Sequence, residues 1–226
     1  MKRDDAPLPG WHPVYGDLPA QVHGLAVRFG LQGLQQRHDN RAVLGAYVLI
    51  NSAVSIAILA GVAALTRQPF VFPSLGPTAF LLFYAALGAQ AAPRNVFCGH
   101  LIGVLAGYLA LVVFGLTTAR PSLTDVTAPR IGAVTVCLCL TLSLMVWLNV
   151  PHAPAGATTL IVGLGLMRTP GQLAVLMIAV VLLIVQGLVI NRLAGQPYPL
   201  WAPRKTARRE DGPVLPRPRP IGILMA

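Results

Sequence analysis

The stretch PHAPAGATTL (151–160) decides how this chain is read, because it interrupts an otherwise apolar region. Two prolines, a histidine and two threonines lie between long hydrophobic runs on either side. Lipid-facing backbone must be helical, and irregular backbone survives only where protein or a water-filled cavity covers it. A helix broken here by polar, helix-initiating residues is therefore expected to face the inside of a membrane bundle and to help build a site.

Composition places the whole chain in a bilayer. Hydrophobic residues make up 55% of the 226, charged residues 11%, and mean hydropathy is +0.67. A soluble domain carries about 25% charged residues. The fold class expected is all-α: a polytopic bundle of four transmembrane helices plus two short broken or re-entrant helices in an internal repeat. The first apolar run starts near Ala42, too far in for a cleavable signal peptide, so it should act as an uncleaved anchor.

Charge is sorted along the chain. Residues 1–41 carry a net +1, residues 42–191 a net +4 and residues 192–226 a net +5, which gives the total of +10. Basic flanks of this kind set topology and put both termini on the cytoplasmic side, in a bacterial inner membrane as the simplest home. No nucleic-acid-binding module is present, and nucleic acid is not an expected partner. Cys98, Cys137 and Cys139 all sit in apolar runs and read as packing residues.

The chain divides into three parts. Residues 1–41 form a tail whose AQVHGLAVRFGLQGLQQRH stretch (20–38) is weakly amphipathic and suited to a membrane surface. Residues 42–193 form the membrane domain, with spans at about 43–66, 96–118, 131–150 and 172–191. Short helices are expected at about 77–88 and 155–167. Pro69, Pro73 and Pro77 delay the first of these, since proline is tolerated only in a helix's first turn. Residues 194–226 form a Pro/Arg-rich tail, expected to be disordered and to touch anionic lipid through Arg204, Lys205, Arg208 and Arg209.

Each half of the membrane domain repeats one pattern: long span, proline-led short helix, long span. GPTAFL (76–81) and GATTLI (156–161) align within it, sharing glycine, threonine and an aliphatic residue. Broken helices at matching places in two repeats point to a transporter's binding site. Re-entrant short helices make four crossings and parallel repeats, whereas short helices that cross make six and inverted repeats. The distribution of Arg67, Arg94, Arg120, Arg130 and Arg168 favours four.

The candidate site follows from helix physics. The first N–H groups of a helix lack intrahelical partners and its dipole is positive there, so small anions bind. Ser74, Gly76 and Thr78 stand at one such start, and Gly156, Thr158 and Thr159 at the other. His152 and His100 are the membrane domain's only histidines, placed to contact a ligand or relay a proton. Arg94 and Asn95 precede the second span, where an arginine can pair with an anion. The only acid in residues 42–191 is Asp125, in a loop. A cation carrier would place carboxylates in its spans, so an anionic or neutral substrate is expected. Two histidines without acid or thiolate partners make no metal site. No nucleophile motif, phosphate loop or carboxylate pair argues for an enzyme, and no cofactor is expected.

PSLGPTA (73–79), PRNVFCGH (93–100) and HAPAGATTL (152–160) together resemble the HPP family of integral membrane proteins. The family pattern runs PSLGATA, then PRN…GH, then HPPAGATAL, in the same order and spacing, over roughly residues 42–193. Two departures stand out. Ala153 replaces a proline of the naming motif, which loosens the backbone before the second short helix, and Pro77 replaces an alanine, which stiffens the first. The resemblance implies four transmembrane helices and nitrite transport, the activity attached to plastid and cyanobacterial members. A membrane transporter or channel for a small inorganic anion, forming a homo-oligomer, is thus the expectation. Its rival is a non-transporting assembly or sensory partner that works through its basic C-terminal tail.

Overall fold

The computed structural model describes Leu31, Gln35, residues 39–121 and residues 127–203. Every regular element among them is helical: α1 (Asn40–Thr66), α2 (Leu75–Tyr84), a short 3-10 turn (Ala89–Ala91), α3 (Pro93–Val113), α4 (Ala128–Trp147), α5 (Ala155–Gly163) and α6 (Pro170–Leu193). The amphipathic stretch 20–38, apart from Leu31 and Gln35, lies outside the described residues, as do Asp125 and the tail from residue 204.

Among the described residues four helices are long and apolar enough to cross a membrane: α1, α3, α4 and α6, of 27, 21, 20 and 24 residues. Local chemistry sets their ends. Asp39 accepts a hydrogen bond from the Ala42 N–H at 2.9 Å and so starts α1. Thr169 and Gln172 form a reciprocal capping box at the start of α6. Proline sits in the first turn of α3, α4 and α6, where its missing N–H costs nothing. This is why α3 begins at Pro93 rather than near residue 96, and α4 at Ala128 rather than 131. The second span also stops earlier than residue 118, because Gly115 turns the chain with a φ of +66°.

Hydrogen bonds at the helix ends fix the direction of every pass. On one face, called here the terminal face, the Tyr47 hydroxyl donates to Asn191 Oδ1 at 2.9 Å, joining the start of α1 to the end of α6. Arg192 Nη2 donates to the Tyr198 carbonyl at 3.2 Å, and the Tyr198 hydroxyl donates to the Ala91 carbonyl. Arg94 donates its backbone N–H to the Trp201 carbonyl and its Nη2 to the Asn149 carbonyl, at 2.9 and 3.0 Å. The start of α3 and the end of α4 therefore share this face. On the opposite, distal face Arg130 donates to the carbonyls of Leu164 and Arg120 at 2.8 and 3.0 Å, and Arg168 donates to the Ala119 carbonyl.

Among the described residues the chain thus makes six passes between the two faces, two of them through the short helices. Residues 67–84 return from the distal to the terminal face, and residues 148–168 run the other way. The two repeats are inverted, not parallel, and the short helices are broken crossings rather than re-entrant ones. Two facts override the charge count that favours four. Arg130 and Arg168 cap carbonyls instead of marking a cytoplasmic loop. A helix of 10 residues spans only about 15 Å, but extended residues before it cover about 3.3 Å each. Phe70 and Phe72 anchor this irregular segment in the core, while Arg67, Gln68, Pro69, Val71 and Pro73 are exposed.

The third helix of each repeat is exchanged. α2 packs against α1 and against α6 of the other repeat, while α5 packs against α4 and against α3. α3 and α6 meet at the centre. The α3–α5 seam is the most extensive helix contact among the described residues. A Cβ built on Gly99 would lie 2.8 Å from His152 Cβ, one on Gly103 2.9 Å from the Ala155 carbonyl oxygen, and one on Gly107 2.7 Å from Val162 Cβ. Lipid tails are as apolar as leucine, so helix association here depends on such close packing rather than on hydrophobic burial.

Asn191 ties the other seam. Its Nδ2 donates to the carbonyls of Leu82 and Gly187 at 2.9 and 2.8 Å, and its Oδ1 accepts from Tyr47. One buried amide thereby joins α1, α2 and α6. Replacing it with leucine strands the Tyr47 hydroxyl and the Leu82 carbonyl. Asn191→Leu is expected to cost about 2–6 kcal/mol, at about 1–3 kcal/mol for each of the two groups left unpaired. Tyr47→Phe should cost about 1 kcal/mol or less, since a hydrogen bond inside a membrane bundle averages about 0.6 kcal/mol. Thermal unfolding in detergent checks both, and equal midpoints for the two variants would contradict the clamp.

The segment after α6 differs from expectation. Residues 196–203 are not a loose tail but a strap across the terminal face. Tyr198 is wholly buried, and burial pushes its phenol above the ordinary tyrosine value. Trp201 lies against Phe97 with ring centroids 6.3 Å apart. Two aromatic anchors outweigh the turn-forming prolines 197 and 199, which alone read as disorder.

Candidate functional site

Both broken passes deliver polar side chains to one buried place. α2 brings Ser74 at its N-cap and Thr78 in its first turn. The segment before α5 brings His152, and α5 itself brings Thr158. α3 supplies His100, two turns in from its terminal-face end. All five have at most 1% of their surface exposed. Gly103, at the midpoint of α3, faces α5 at Thr159, so the cluster sits between mid-depth and the terminal face.

The two histidines touch. Their Nε2 atoms are 3.2 Å apart, and Thr78 Oγ1 lies 3.1 Å from the Nε2 of His100 and 3.2 Å from that of His152. Three polar atoms therefore form a nearly equilateral triangle. The other nitrogens are also engaged: His152 Nδ1 lies 2.7 Å from the Gln90 carbonyl oxygen, and His100 Nδ1 lies 2.7 Å from Thr158 Oγ1. Thr158 Oγ1 is in turn 2.9 Å from Ser74 Oγ. The repeat-related threonines, Thr78 and Thr158, thus hold the two nitrogens of one imidazole.

The partners assign the protons. A carbonyl oxygen only accepts, so His152 Nδ1 carries hydrogen and donates to Gln90. In the neutral ring its Nε2 is then a bare lone pair. Thr78 spends its single hydroxyl proton on the Ser74 carbonyl at 2.8 Å. The lone pair of His152 must therefore accept from His100 Nε2–H. In this neutral form His100 Nδ1 is an acceptor filled by the Thr158 hydroxyl, which requires Ser74 to turn and donate to Thr158, the reverse of the Thr158-to-Ser74 direction in the structure. Every ring nitrogen of the pair has a partner with both rings neutral.

Other candidates are placed elsewhere. Thr159 turns to α4, with its Oγ1 2.9 Å from Thr141 Oγ1 and 3.0 Å from the Ala155 carbonyl. Gly76 is exposed, with nothing near an added Cβ, and Gly156 faces Leu138. Asn95 is buried but structural, donating Nδ2 to the Ala89 carbonyl at 2.8 Å. The Arg94 guanidinium joins Asn95 Oδ1 to the Asn149 carbonyl and closes the terminal face rather than entering the cluster. Gln90, absent from the sequence reading, belongs to it. Its carbonyl orients His152 and its Oε1 accepts from the Ala153 N–H at 3.0 Å.

The helix starts also differ from expectation. The N–H groups of Leu75, Ala155, Gly156 and Ala157 already donate to carbonyls of the preceding turn at 3.0–3.1 Å. The cause is local: Ser74 and Pro154 are themselves in right-handed helical conformation, so a tight turn precedes each helix and takes up its free donors. The hydrogen bonds that assemble the cluster are made by side chains. Among the described residues no group of three or more His, Cys, Asp or Glu is arranged to hold a metal ion.

Two inverted three-helix repeats, each with a broken middle pass and both meeting at a buried polar cluster, define an integral membrane protein of the polytopic helical class. The chain belongs to the HPP family, whose transmembrane-region model matches residues 37–199. No curated protein and no solved structure matches it.

Proposed function

We propose that this protein moves a small inorganic anion across a membrane, with nitrite the first substrate to test. One observation carries the reading: both inverted repeats contribute a hydroxyl to the same buried imidazole, at a site formed by the breaks in both middle passes. Irregular, polar, buried structure of this kind in matching places is how inverted-repeat transporters form substrate sites. Asp39, at the start of α1, is the one carboxylate among the described residues, so nothing in the cluster favours a cation. His100, His152, Thr78, Thr158 and Ser74 are the binding groups, with hydroxyl and imidazole hydrogens replacing water around the anion. Both termini are cytoplasmic in a bacterial inner membrane, and the protein works as a homo-oligomer without a cofactor and without catalysing a reaction.

The test is flux into proteoliposomes carrying the purified protein, nitrite against nitrate, chloride and formate. Thr158→Val keeps side-chain volume but removes the hydroxyl between Ser74 and His100. It is expected to lower uptake about tenfold or more, the effect of about 1.4 kcal/mol. Thr159→Val, altering a hydroxyl turned toward α4, should change uptake by less than about threefold, since its bond is worth about 0.6 kcal/mol. Equal uptake in wild type and Thr158→Val would remove the cluster from the path.

A further inference from the structure

The proton arrangement of the histidine pair has a second complete form. If His152 gains a proton at Nε2, it donates to His100 Nε2 across the same 3.2 Å contact. That proton is the one His100 held on Nε2, and His100 takes the added proton on Nδ1 and donates to Thr158, which donates to Ser74 Oγ. No heavy atom moves. Every link survives, and each hydroxyl only turns. A further proton would set two N–H groups head to head at 3.2 Å, with like charges in contact. The pair therefore has room for one proton and not two.

The extra proton also changes what the cluster offers a ligand. In the neutral form Ser74 spends its hydroxyl hydrogen on Thr158. In the protonated form that hydrogen is released at the far end of the chain, beside the start of α2. One positive charge and one free donor arrive together, and an anion needs both. No fixed charge competes. α2 faces the pair with Ser74 and Thr78, the 3-10 turn with Gln90, and α5 with Thr158. α4 meets α5 with Thr141 at Thr159, Leu138 at Gly156 and Cys137 at Gly163. The nearest arginine, Arg94, is bound to Asn95 and Asn149.

We infer that the His100–His152 pair takes up one proton with each anion, so that the protein carries a weak-acid anion and a proton together as an electroneutral load. This rests on the transport reading above and specifies its coupling. On loading, the His100 Nε2 proton shifts to His152 Nε2 while the entering proton is relayed through the Ser74 and Thr158 hydroxyls to His100 Nδ1, and on release the same transfers run backwards and the rings return to the neutral form.

The experiment uses the full-length protein in vesicles with a trapped pH dye and a potential set by potassium and valinomycin. Rates are taken above protein-free vesicles, because nitrous acid crosses bare lipid. Expected is one proton entering per nitrite, with uptake unchanged within about twofold by about 100 mV, a potential that drives an uncompensated charge about 50-fold. His100→Gln keeps a hydrogen-bonding side chain but removes one titrating ring. It should lower the proton-to-nitrite ratio at least fivefold and make the remaining uptake follow the potential. Nitrite uptake in wild type that follows the potential without proton entry overturns the coupling and leaves anion transport standing. No flux of any anion overturns both. A readout independent of flux is 15N NMR of histidine-labelled protein: one shared proton taken up by the two rings supports the pair, and two independent protonations overturn it.

Discussion

Gly103→Leu is expected to abolish the folded bundle. Even a bare Cβ at this position would stand 2.8 Å from Thr159 Oγ1 and 2.9 Å from the Ala155 carbonyl oxygen. The second of these is backbone and cannot swing aside, so α5 must retreat from α3. Gly103→Ala should cost about 1–3 kcal/mol, the usual range for overpacking a close contact. Leucine adds three further carbons to the same gap and leaves no rotamer that avoids α5. The measurement is monodisperse yield and thermal midpoint in detergent. Gly45→Ala is the control. Its added Cβ meets nothing within 4 Å, and alanine favours a helix interior by about 1 kcal/mol. A Gly103→Leu protein that elutes like wild type and melts at the same temperature would mean that α3 and α5 do not pack along this seam.

That seam was open to reading in the chain. Gly99, Gly103 and Gly107 recur every four residues within an apolar helix, the spacing of a close helix crossing. The stripe passes unnoticed when attention rests on polar residues, although it is what brings Thr158 and His152 against His100. The spans themselves are legible because uncharged runs bounded by arginine or proline have one physical solution in a bilayer. The short helices are legible because prolines 69, 73 and 77 leave nowhere else for a helix to begin.

The pass count is harder to read. It depends on which carbonyl each arginine reaches, and Arg130 and Arg168 look like topology signals until the acceptors at Leu164 and Ala119 are known. The site is legible as a set of residue types but not as a geometry. His152, His100, Thr78, Thr158 and Ser74 stand out as polar residues in apolar surroundings. Thr159 stands out equally and faces away, because adjacent helix positions are about 100° apart and only one of two neighbouring threonines can point inward. Gln90 carries no local signal, since its role depends on the backbone carbonyl of a turn formed by other contacts. The strap after α6 is masked for a similar reason: Tyr198 is anchored by Ala91 and Arg192, both distant or unremarkable in sequence.

His152→Ala is expected to remove transport entirely and destabilise the fold as well, and a second substitution separates the two effects. The alanine variant leaves the Gln90 carbonyl without its donor and His100 Nε2–H without its acceptor, at about 1–3 kcal/mol each. It also opens a void where the ring stood, close to Gly99, since a Cβ built there would lie 3.6 Å from His152 Cγ. Lost uptake alone would then have two explanations. His152→Asn resolves them. Its Nδ2 occupies roughly the place of the ring Nδ1 and can still donate to Gln90, but it puts no atom at the Nε2 position and cannot take up a proton. The asparagine variant should recover most of the thermal midpoint lost by alanine, yet restore no nitrite uptake. If it transports like wild type, the Nε2 vertex of the triangle is architecture, and the anion passes without it. If it neither folds nor transports, the comparison moves to Thr78→Val, which removes a second vertex while leaving the Gln90–His152 bond intact. Loss of uptake there with a wild-type midpoint would assign the triangle to the anion on its own.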